Sequence, residues 1–270
     1  MNLPLNKKRR KSAAFTLVEL LVVIVILSIL SSLALSGMVA ARARGRASKT
    51  RSTIRKINEA LLPYYESFET RRPNLPSVIE ASGDRSLIAR ARAVALNRLQ
   101  TMELPDNARD VNEVFSPTNT YQIPGTSGIL SEISPVARRY QSLIGNSGSV
   151  SSAELLYLIV MRGAAADQDV TAHFRPNEIG DTNGNGLPEF VDGWGNAIRF
   201  RRWPVGFSSP VQDGSSVLLP LIYSSGEDGD FGFADSDCSY RSLGYVPAAG
   251  PAIVFGEQAK DNIHNHDMTQ

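Results

Sequence analysis

The stretch KKRRKSAAFTLVELLVVIVILSILSSLAL, from Lys7 to Leu35, decides the fold of this chain. It opens with five cations, and the 21 residues from Phe15 to Leu35 are nearly all apolar, with Glu19 as their one ionisable group. As a helix that rises about 1.5 Å per residue, the apolar run is roughly 30 Å long, which matches the hydrocarbon core of a bilayer. We therefore predict that residues 15–35 form a membrane-spanning helix.

The same stretch is open to two interpretations of its processing. A secretory signal peptide also has a basic start and an apolar core, and would be cut near Ala34-Leu35-Ser36. Its core usually has about 7 to 15 residues and needs no glutamate, so the length of this run and Glu19 both argue against it. The other interpretation places the cut between Ala14 and Phe15, which leaves the apolar helix on the mature protein.

Cations on both sides of the apolar run make its orientation ambiguous by charge alone. Seven more follow it: Arg42, Arg44, Arg46, Lys49, Arg51, Arg55 and Lys56. Apolar residues then recur at three- and four-residue spacing from Ile54 to Phe68. We expect one helix of about 70 Å from Phe15 to Leu62, with Pro63 marking a kink or an end.

The basic run, the small residue Ala14 and the sequence Phe15-Thr-Leu-Val-Glu19 resemble the N-terminal signature of type IV pilins and type II secretion pseudopilins. The resemblance implies that a membrane-embedded prepilin peptidase cuts between Ala14 and Phe15 and methylates Phe15. The family usually has glycine where this chain has Ala14. It also implies a role for Glu19, which would neutralise the amino terminus of a neighbouring subunit in a helical filament. The alternative is a glutamate favoured at the first turn by the helix dipole.

The rest of the sequence predicts an α+β protein, in which the long N-terminal transmembrane helix continues into a globular domain with extra helices and a small antiparallel C-terminal sheet. Helical patterns cover residues 87–104, a segment after Ser134-Pro135, and a segment that starts with a Ser151/Glu154 capping box. Arg90, Arg92 and Arg98 lie off the apolar stripe of the first of these, so we expect them on a solvated face. Strands are predicted at Ala197–Trp203, Ser216–Tyr223 and Ala252–Phe255, after a loop-like Thr118–Gly128.

These patterns divide the chain into six segments. They are a basic leader (1–14), the transmembrane helix (15–35), its soluble continuation (36–68), a helical insertion (69–178), a β-meander with acidic loops (179–258) and a polar tail (259–270) whose histidines we expect to be disordered.

The first acidic loop has oxygen-bearing side chains at EF-hand spacing. Asp181, Asn183, Asn185, Glu189 and Asp192 occupy positions 1, 3, 5, 9 and 12, with Gly186 at position 6 and the carbonyl of Leu187 at position 7. This spacing suits Ca²⁺, but Gly193-Trp194-Gly195 starts a turn where an EF-hand has its exit helix. The alternative is a metal-free turn built from Asn-Gly pairs.

The second acidic loop carries a further resemblance. Asp192-Gly-Trp-Gly-Asn196 is similar to the Asp-Pro-Trp-Gly-Asn motif of the major pseudopilin of type II secretion, with Gly193 replacing proline. Ser224-Ser-Gly-Glu-Asp-Gly229 is similar to that family's Ser-Leu-Gly-Ala-Asp-Gly. Since the family binds calcium in this loop, the resemblance implies ligands at Asp228, Asp235 and Asp237.

No catalytic residues are predicted. The single cysteine, Cys238, excludes an intrachain disulfide, and the three histidines form no catalytic pattern with it. The chain has 28 Lys and Arg against 27 Asp and Glu, so no net positive field favours nucleic acid, and we expect no nucleic-acid partner.

The sequence therefore predicts a structural subunit in the inner membrane, with its leader in the cytoplasm and its C-terminal domain on the exported side. Its expected partners are the prepilin peptidase and other pilin-like subunits. The alternative is a membrane-anchored, calcium-binding exported adhesion or binding module that does not polymerise.

Overall fold

The computed structural model describes residues 16–114, 121–123, 126–145, 150–163, 165–166, 172–204, 207, 209, 211, 218–232 and 257–268. Contacts divide the chain into two compact units, residues 1–44 and 45–270. Several predictions lie outside the described residues: the leader with Ala14, the methylation site Phe15, the ligands Asp235 and Asp237, Cys238, and the strand Ala252–Phe255.

The longest element is helix α1, Leu17–Ser67. It is long and apolar enough in its first part to cross a membrane, and none of the residues in that apolar window is buried. Of the two outcomes expected at Pro63, an end of the helix is excluded, because α1 continues for four more residues and stops close to the predicted limit of its soluble continuation at residue 68. Leu61 and Tyr65 are buried on either side of Pro63, so packing offsets the hydrogen bond that proline cannot donate.

Five shorter helices follow: α2 (Ser77–Glu80), α3 (Arg85–Glu103), α4 (Ala108–Val114), α5 (Pro135–Ile144) and α6 (Ser152–Met161). Three were predicted from their patterns. The Ser151/Glu154 capping box of α6 is present, and the Ser134 hydroxyl accepts the N–H of Ala137 at the start of α5. The prediction for Arg98 is wrong, since it is 5% exposed, whereas Arg90 and Arg92 are exposed as expected.

Seven short strands form three antiparallel sheets among the described residues. Strand β1 (Tyr121–Gln122) pairs with β2 (Ile129–Leu130), and β3 (Ile179–Gly180) pairs with β4 (Glu189–Phe190). The third sheet has the order β5 (Arg199–Arg201), β6 (Leu221–Ser224), β7 (Ile263–His264). The segment expected to be a loop at 118–128 thus contains β1.

The polar tail has regular structure over its described residues, 259–268, so the expectation that its histidines are disordered is wrong. Its strand β7 pairs Tyr223 with His264, and the Asn265 side chain accepts the N–H of Ile222 and donates to the carbonyl of Pro220. His266 is 1% exposed. Backbone pairing and buried amide hydrogen bonds hold this tail against β6. The hydrophobicity of the sequence does not indicate such polar contacts.

The main core lies around α6, whose residues from Ser152 to Val160 are all buried. Helix α6 contacts both β4 and β5, and its apolar side chains join Ile54, Ile57 and Leu61 of α1 in one cluster. A helix that is apolar on all sides is stable only when it is buried, and α6 is such a helix.

Candidate functional sites

The first candidate site is the start of α1. Glu19 Oε2 accepts the backbone N–H of Thr16 at 2.9 Å and its hydroxyl at 2.9 Å, while Thr16 Oγ1 accepts the N–H of Glu19 at 3.2 Å. This reciprocal arrangement is a capping box, which satisfies N–H groups that the first turn leaves free. The favourable first-turn geometry expected for Glu19 is therefore present.

Three serines in the apolar part of α1 bond to their own helix. The hydroxyls of Ser28, Ser32 and Ser36 donate to the carbonyls of residues 24, 29 and 33 at 2.7–2.9 Å. The large apolar side chains from Leu17 to Val39 are all exposed. Because a bilayer offers no water to polar groups, bonds within the helix are the form in which a spanning segment can carry such hydroxyls.

Residues 9–35 match the family model of the prokaryotic N-terminal methylation motif. The N-terminal segment is type IV pilin-like. The motif implies processing by a prepilin peptidase and assembly with pilin-like subunits, and proteins with this motif are structural. No curated protein and no solved structure matches the chain. The pilin-like match therefore covers the leader and the apolar helix.

The second candidate site is a tight turn, Asp192–Asn196, in the globular part of the chain. Asp192 is 1% exposed, and its Oδ1 accepts the N–H groups of Trp194, Gly195 and Asn196 at 2.8–2.9 Å. Its Oδ2 accepts the hydroxyl of Ser224 at 2.7 Å. One buried carboxylate thus closes the turn and ties it to β6.

Gly193 joins this turn to α1. Its N–H donates to Thr50 Oγ1 at 2.9 Å, and a Cβ at this position would overlap the backbone carbonyl of Arg46. Proline has neither the N–H nor the room, so glycine is required where the pseudopilin motif has proline. The sequence showed the substitution but gave no signal for this contact with the helix.

The first acidic loop connects β3 to β4. Asp181 accepts the N–H groups of Gly184 and Gly186 at 2.7 and 2.9 Å, and both glycines have positive φ. The side-chain amides of Asn183 and Asn185 each donate to Glu154 Oε1 at 2.7 Å. The loop is thus a hydrogen-bonded hairpin turn anchored on a buried glutamate that the sequence analysis did not connect with it.

The residues predicted to bind calcium in this loop make different contacts within the protein. Glu189 Oε1 accepts the N–H and hydroxyl of Thr182. Asp192 Oδ1 accepts from the following turn and its Oδ2 accepts from Ser224, while the side chain of Leu187 is buried. No group of three or more His, Cys, Asp or Glu within the described ranges could hold a metal ion. In this arrangement most of the predicted ligands accept or donate hydrogen bonds within the protein, and calcium binding stays a prediction.

The second acidic loop is organised by the tail. Asp261 Oδ2 accepts the N–H groups of Glu227 and Asp228 at 2.7 and 3.2 Å. Asp228 in turn accepts the N–H of Asp230 at 2.8 Å. Four exposed carboxylates therefore lie on two adjacent segments, and Asp261 could not be assigned to this loop while the tail was expected to be disordered.

A buried ionic cluster ties the insertion to the end of β5. Arg202 Nη1 donates to the carbonyl of Leu104 at 2.6 Å and to Asp110 Oδ2 at 3.0 Å, and its backbone N–H donates to Asp106 Oδ2 at 3.0 Å. Burial raises the pKa of Asp110 to about 7 despite the adjacent guanidinium. Burial alone would raise the pKa of Asp106, but the charges of Arg202 and Arg201 and the hydrogen bonds that Asp106 accepts together outweigh burial and lower this pKa.

The buried histidine of the tail, His266, has a hydrogen-bond partner at each ring nitrogen. His266 Nδ1 is 2.9 Å from Ser209 Oγ, and its Nε2 is 3.1 Å from the carbonyl oxygen of Pro220. In a catalytic triad the serine faces Nε2 and a carboxylate faces Nδ1, whereas here the serine faces Nδ1 and a backbone carbonyl faces Nε2. These bonds explain why the tail is held against β6.

Proposed function

We propose that this chain is a filament subunit of a pseudopilus or type IV pilus-like assembly, in the service of type II protein secretion. It is cut between Ala14 and Phe15 by the prepilin peptidase, methylated at Phe15 and held in the inner membrane by α1. Its leader stays in the cytoplasm and the globular part lies on the exported side. The observation that carries this proposal is the methylation motif over an apolar helix that contains one carboxylate, Glu19.

The chemistry of Glu19 supports assembly as well as processing. An unpaired carboxylate within hydrocarbon costs on the order of 2.5–3.5 kcal/mol on insertion scales, so a retained one calls for a partner. Cleavage before Phe15 creates an ammonium group on every copy. A carboxylate and an ammonium from neighbouring copies compensate each other in lipid, which makes docking directional.

Mass spectrometry of the mature N-terminus tests the processing step. We expect a chain that starts at N-methylated Phe15, and an increase or no change in the processed fraction for Ala14→Gly. A mature chain that starts near Gly37 would show that the apolar run is a signal peptide, and would remove the proposal.

Glu19→Ala tests the assembly step. We expect this variant to be cleaved normally but to enter filaments about tenfold less, the factor that corresponds to roughly 1.4 kcal/mol of lost pairing. The matched control is Glu59→Ala, which removes an exposed carboxylate from the second half of the same helix. Equal assembly of the two variants would contradict the docking role.

Calcium binding by the acidic loops remains a separate proposal, and it belongs equally to the alternative of an anchored exported module that does not polymerise. It is motivated by the exposed carboxylates of Asp181 and Asp228. Thermal unfolding of the detergent-solubilised protein with Ca²⁺ or with EGTA tests it. Identical transitions would remove calcium from both loops, and sedimentation of filaments distinguishes the subunit from the module.

A further inference from the structure

Helix α1 carries a group of exposed arginines beyond its apolar part. They are all exposed and follow the apolar part of the helix: Arg42, Arg44, Arg46, Arg51 and Arg55. None of their side chains makes a hydrogen bond or ion pair with any residue that the structure describes. The two lysines of the same stretch differ, because Lys49 Nζ donates to the carbonyl of Asn177 at 2.8 Å and Lys56 Nζ pairs with Glu178 at 2.8 Å.

The globular unit carries an exposed group of the opposite charge. We call Glu227, Asp228, Asp230 and Asp261 the acidic cluster, since backbone N–H groups of the first two converge on the carboxylate of Asp261. With the neighbouring Lys260 counted, its formal charge is −4 + 1 = −3. Like charges this close favour a cationic partner.

We propose that the exposed arginines of α1 dock onto the acidic cluster of a second copy of this chain. The inference rests on the proposed function, because it specifies which surfaces meet when subunits assemble. Charge complementarity carries it, since α1 presents five exposed arginines without a partner among the described residues, and the globular unit presents a net negative cluster.

The two surfaces differ, so the contact is heterologous. When a surface binds a different surface on the next copy, each assembly still has one free surface of each kind at its two ends. Further copies can therefore add at these ends, and the repeated contact produces a closed ring or an open helix. An open helix is a filament, so this contact has the symmetry that the proposed function requires. A contact between exposed charges is also screened by salt, so it sets register and partner choice more than total affinity.

Charge reversal in the full-length chain, produced with its peptidase and assembly machinery, tests the inference. Arg51→Glu with Arg55→Glu and, separately, Asp228→Lys with Asp230→Lys should each lower the filament fraction about tenfold, because like charges then face each other. Combining all four should restore it to within about threefold of the unmodified chain. Arg138→Glu with Arg139→Glu, exposed on α5, is the matched control and should change nothing.

Disulfide cross-linking provides a second measurement that does not depend on filament yield. In a Cys238→Ser background, copies with Arg51→Cys should cross-link to differently tagged copies with Asp228→Cys, and not to copies with Ser142→Cys on α5.

The outcomes separate this inference from the proposed function. If the unmodified chain forms no filament, the proposed function fails. If it assembles and both reversals leave assembly unchanged, only the inference is overturned. If the reversals lower assembly but the combination does not restore it, the arginines bind another acidic surface, such as lipid phosphate, and the inference is likewise overturned.

Discussion

The two halves of α1 share one secondary structure but differ in where their apolar side chains go. From Leu17 to Val39 the large apolar residues are 47–80% exposed, whereas Ile54, Ile57 and Leu61 are 0% exposed. Apolar area removed from water is worth about 25 cal/mol per Å², so the first half gains this stabilisation only from something outside the chain. The backbone hydrogen bonds of α1 make it one continuous helix, but its two halves need different packing partners. The second half packs into the folded core of its own chain, whereas the first half needs lipid or neighbouring helices.

Matched isoleucine truncations test this difference most strongly. Ile57→Ala should lower the free energy of unfolding of the globular unit by about 2–5 kcal/mol, because it leaves a cavity in the core. Ile24→Ala, in the exposed half, should leave that free energy unchanged. Urea titration of the detergent-solubilised protein, followed by the fluorescence of Trp194 and Trp203, measures both, since these residues pack against the core.

An equal loss for the two variants would show that the first half also folds against the chain's own core. A loss in filament assembly for Ile24→Ala alone, with normal unfolding, would instead sharpen the division between the halves.

Matched glycine substitutions come next in size. Gly193→Ala should destabilise the globular unit by about 3 kcal/mol, because the new Cβ would overlap the carbonyl of Arg46 in the second half of α1. Gly45→Ala meets no atom within 4 Å and lies within the helix, so it should stabilise α1 by about 0.5–1 kcal/mol. The same titration measures both, and a neutral Gly193→Ala would refute the close approach of the turn to the helix.

A third prediction concerns the ion pair that anchors the second half of α1. Glu178 is 3% exposed and accepts from Thr53 at 2.9 Å and from Lys56 at 2.8 Å. Burial would raise its pKa, but the N–H of Arg175 and these side chains outweigh burial and lower the pKa below 4.5. Glu178→Gln should cost about 1–2 kcal/mol at pH 7, since the buried acceptors lose their charge.

The pH dependence of stability provides the control for this pair. The unfolded chain binds the Glu178 proton at a higher pH than the folded chain does, so the stabilisation is present above about pH 4.5 and is lost as the pH falls through the lower folded value. The difference between the unmodified protein and Glu178→Gln should therefore shrink on acidification. A difference that stays constant from pH 7 to pH 3 would mean that the charge of Glu178 is not what stabilises the contact.

The elements with strong local signals were predicted from the sequence. The long apolar run, the three-to-four spacing of α3 and the Ser151/Glu154 capping box of α6 depend on neighbours within a few residues, so they are visible in the chain itself. The α+β plan with a long N-terminal helix is accordingly confirmed, as is the pilin-like signature.

The features that sequence analysis missed depend on contacts between distant residues. Next to strand β7, the side chain of Asn265 accepts the backbone N–H of Ile222, which lies 43 residues earlier. Asp106 and Asp110 contact Arg202, which lies more than 90 residues later. A polar tail and two ordinary aspartates show no periodic pattern that would indicate either contact. The acidic cluster was incomplete for the same reason, because Asp261 belongs to that tail.

The smallest predicted effects come from removing one hydroxyl group from each half of α1. Thr50 Oγ1 accepts the N–H of Gly193 and donates to the carbonyl of Arg46 at 3.0 Å. Thr50→Val should therefore cost about 1–2 kcal/mol, since it leaves a half-buried N–H without its acceptor. Ser28 only donates to the carbonyl of Ile24 in its own helix, so Ser28→Ala should change stability by less than about 0.5 kcal/mol. Urea titration measures the free energy of unfolding of both variants. An equally large loss of stability for Ser28→Ala would indicate that the hydroxyl of Ser28 has a partner beyond its own helix. That result would contradict the distinction between the two halves of α1.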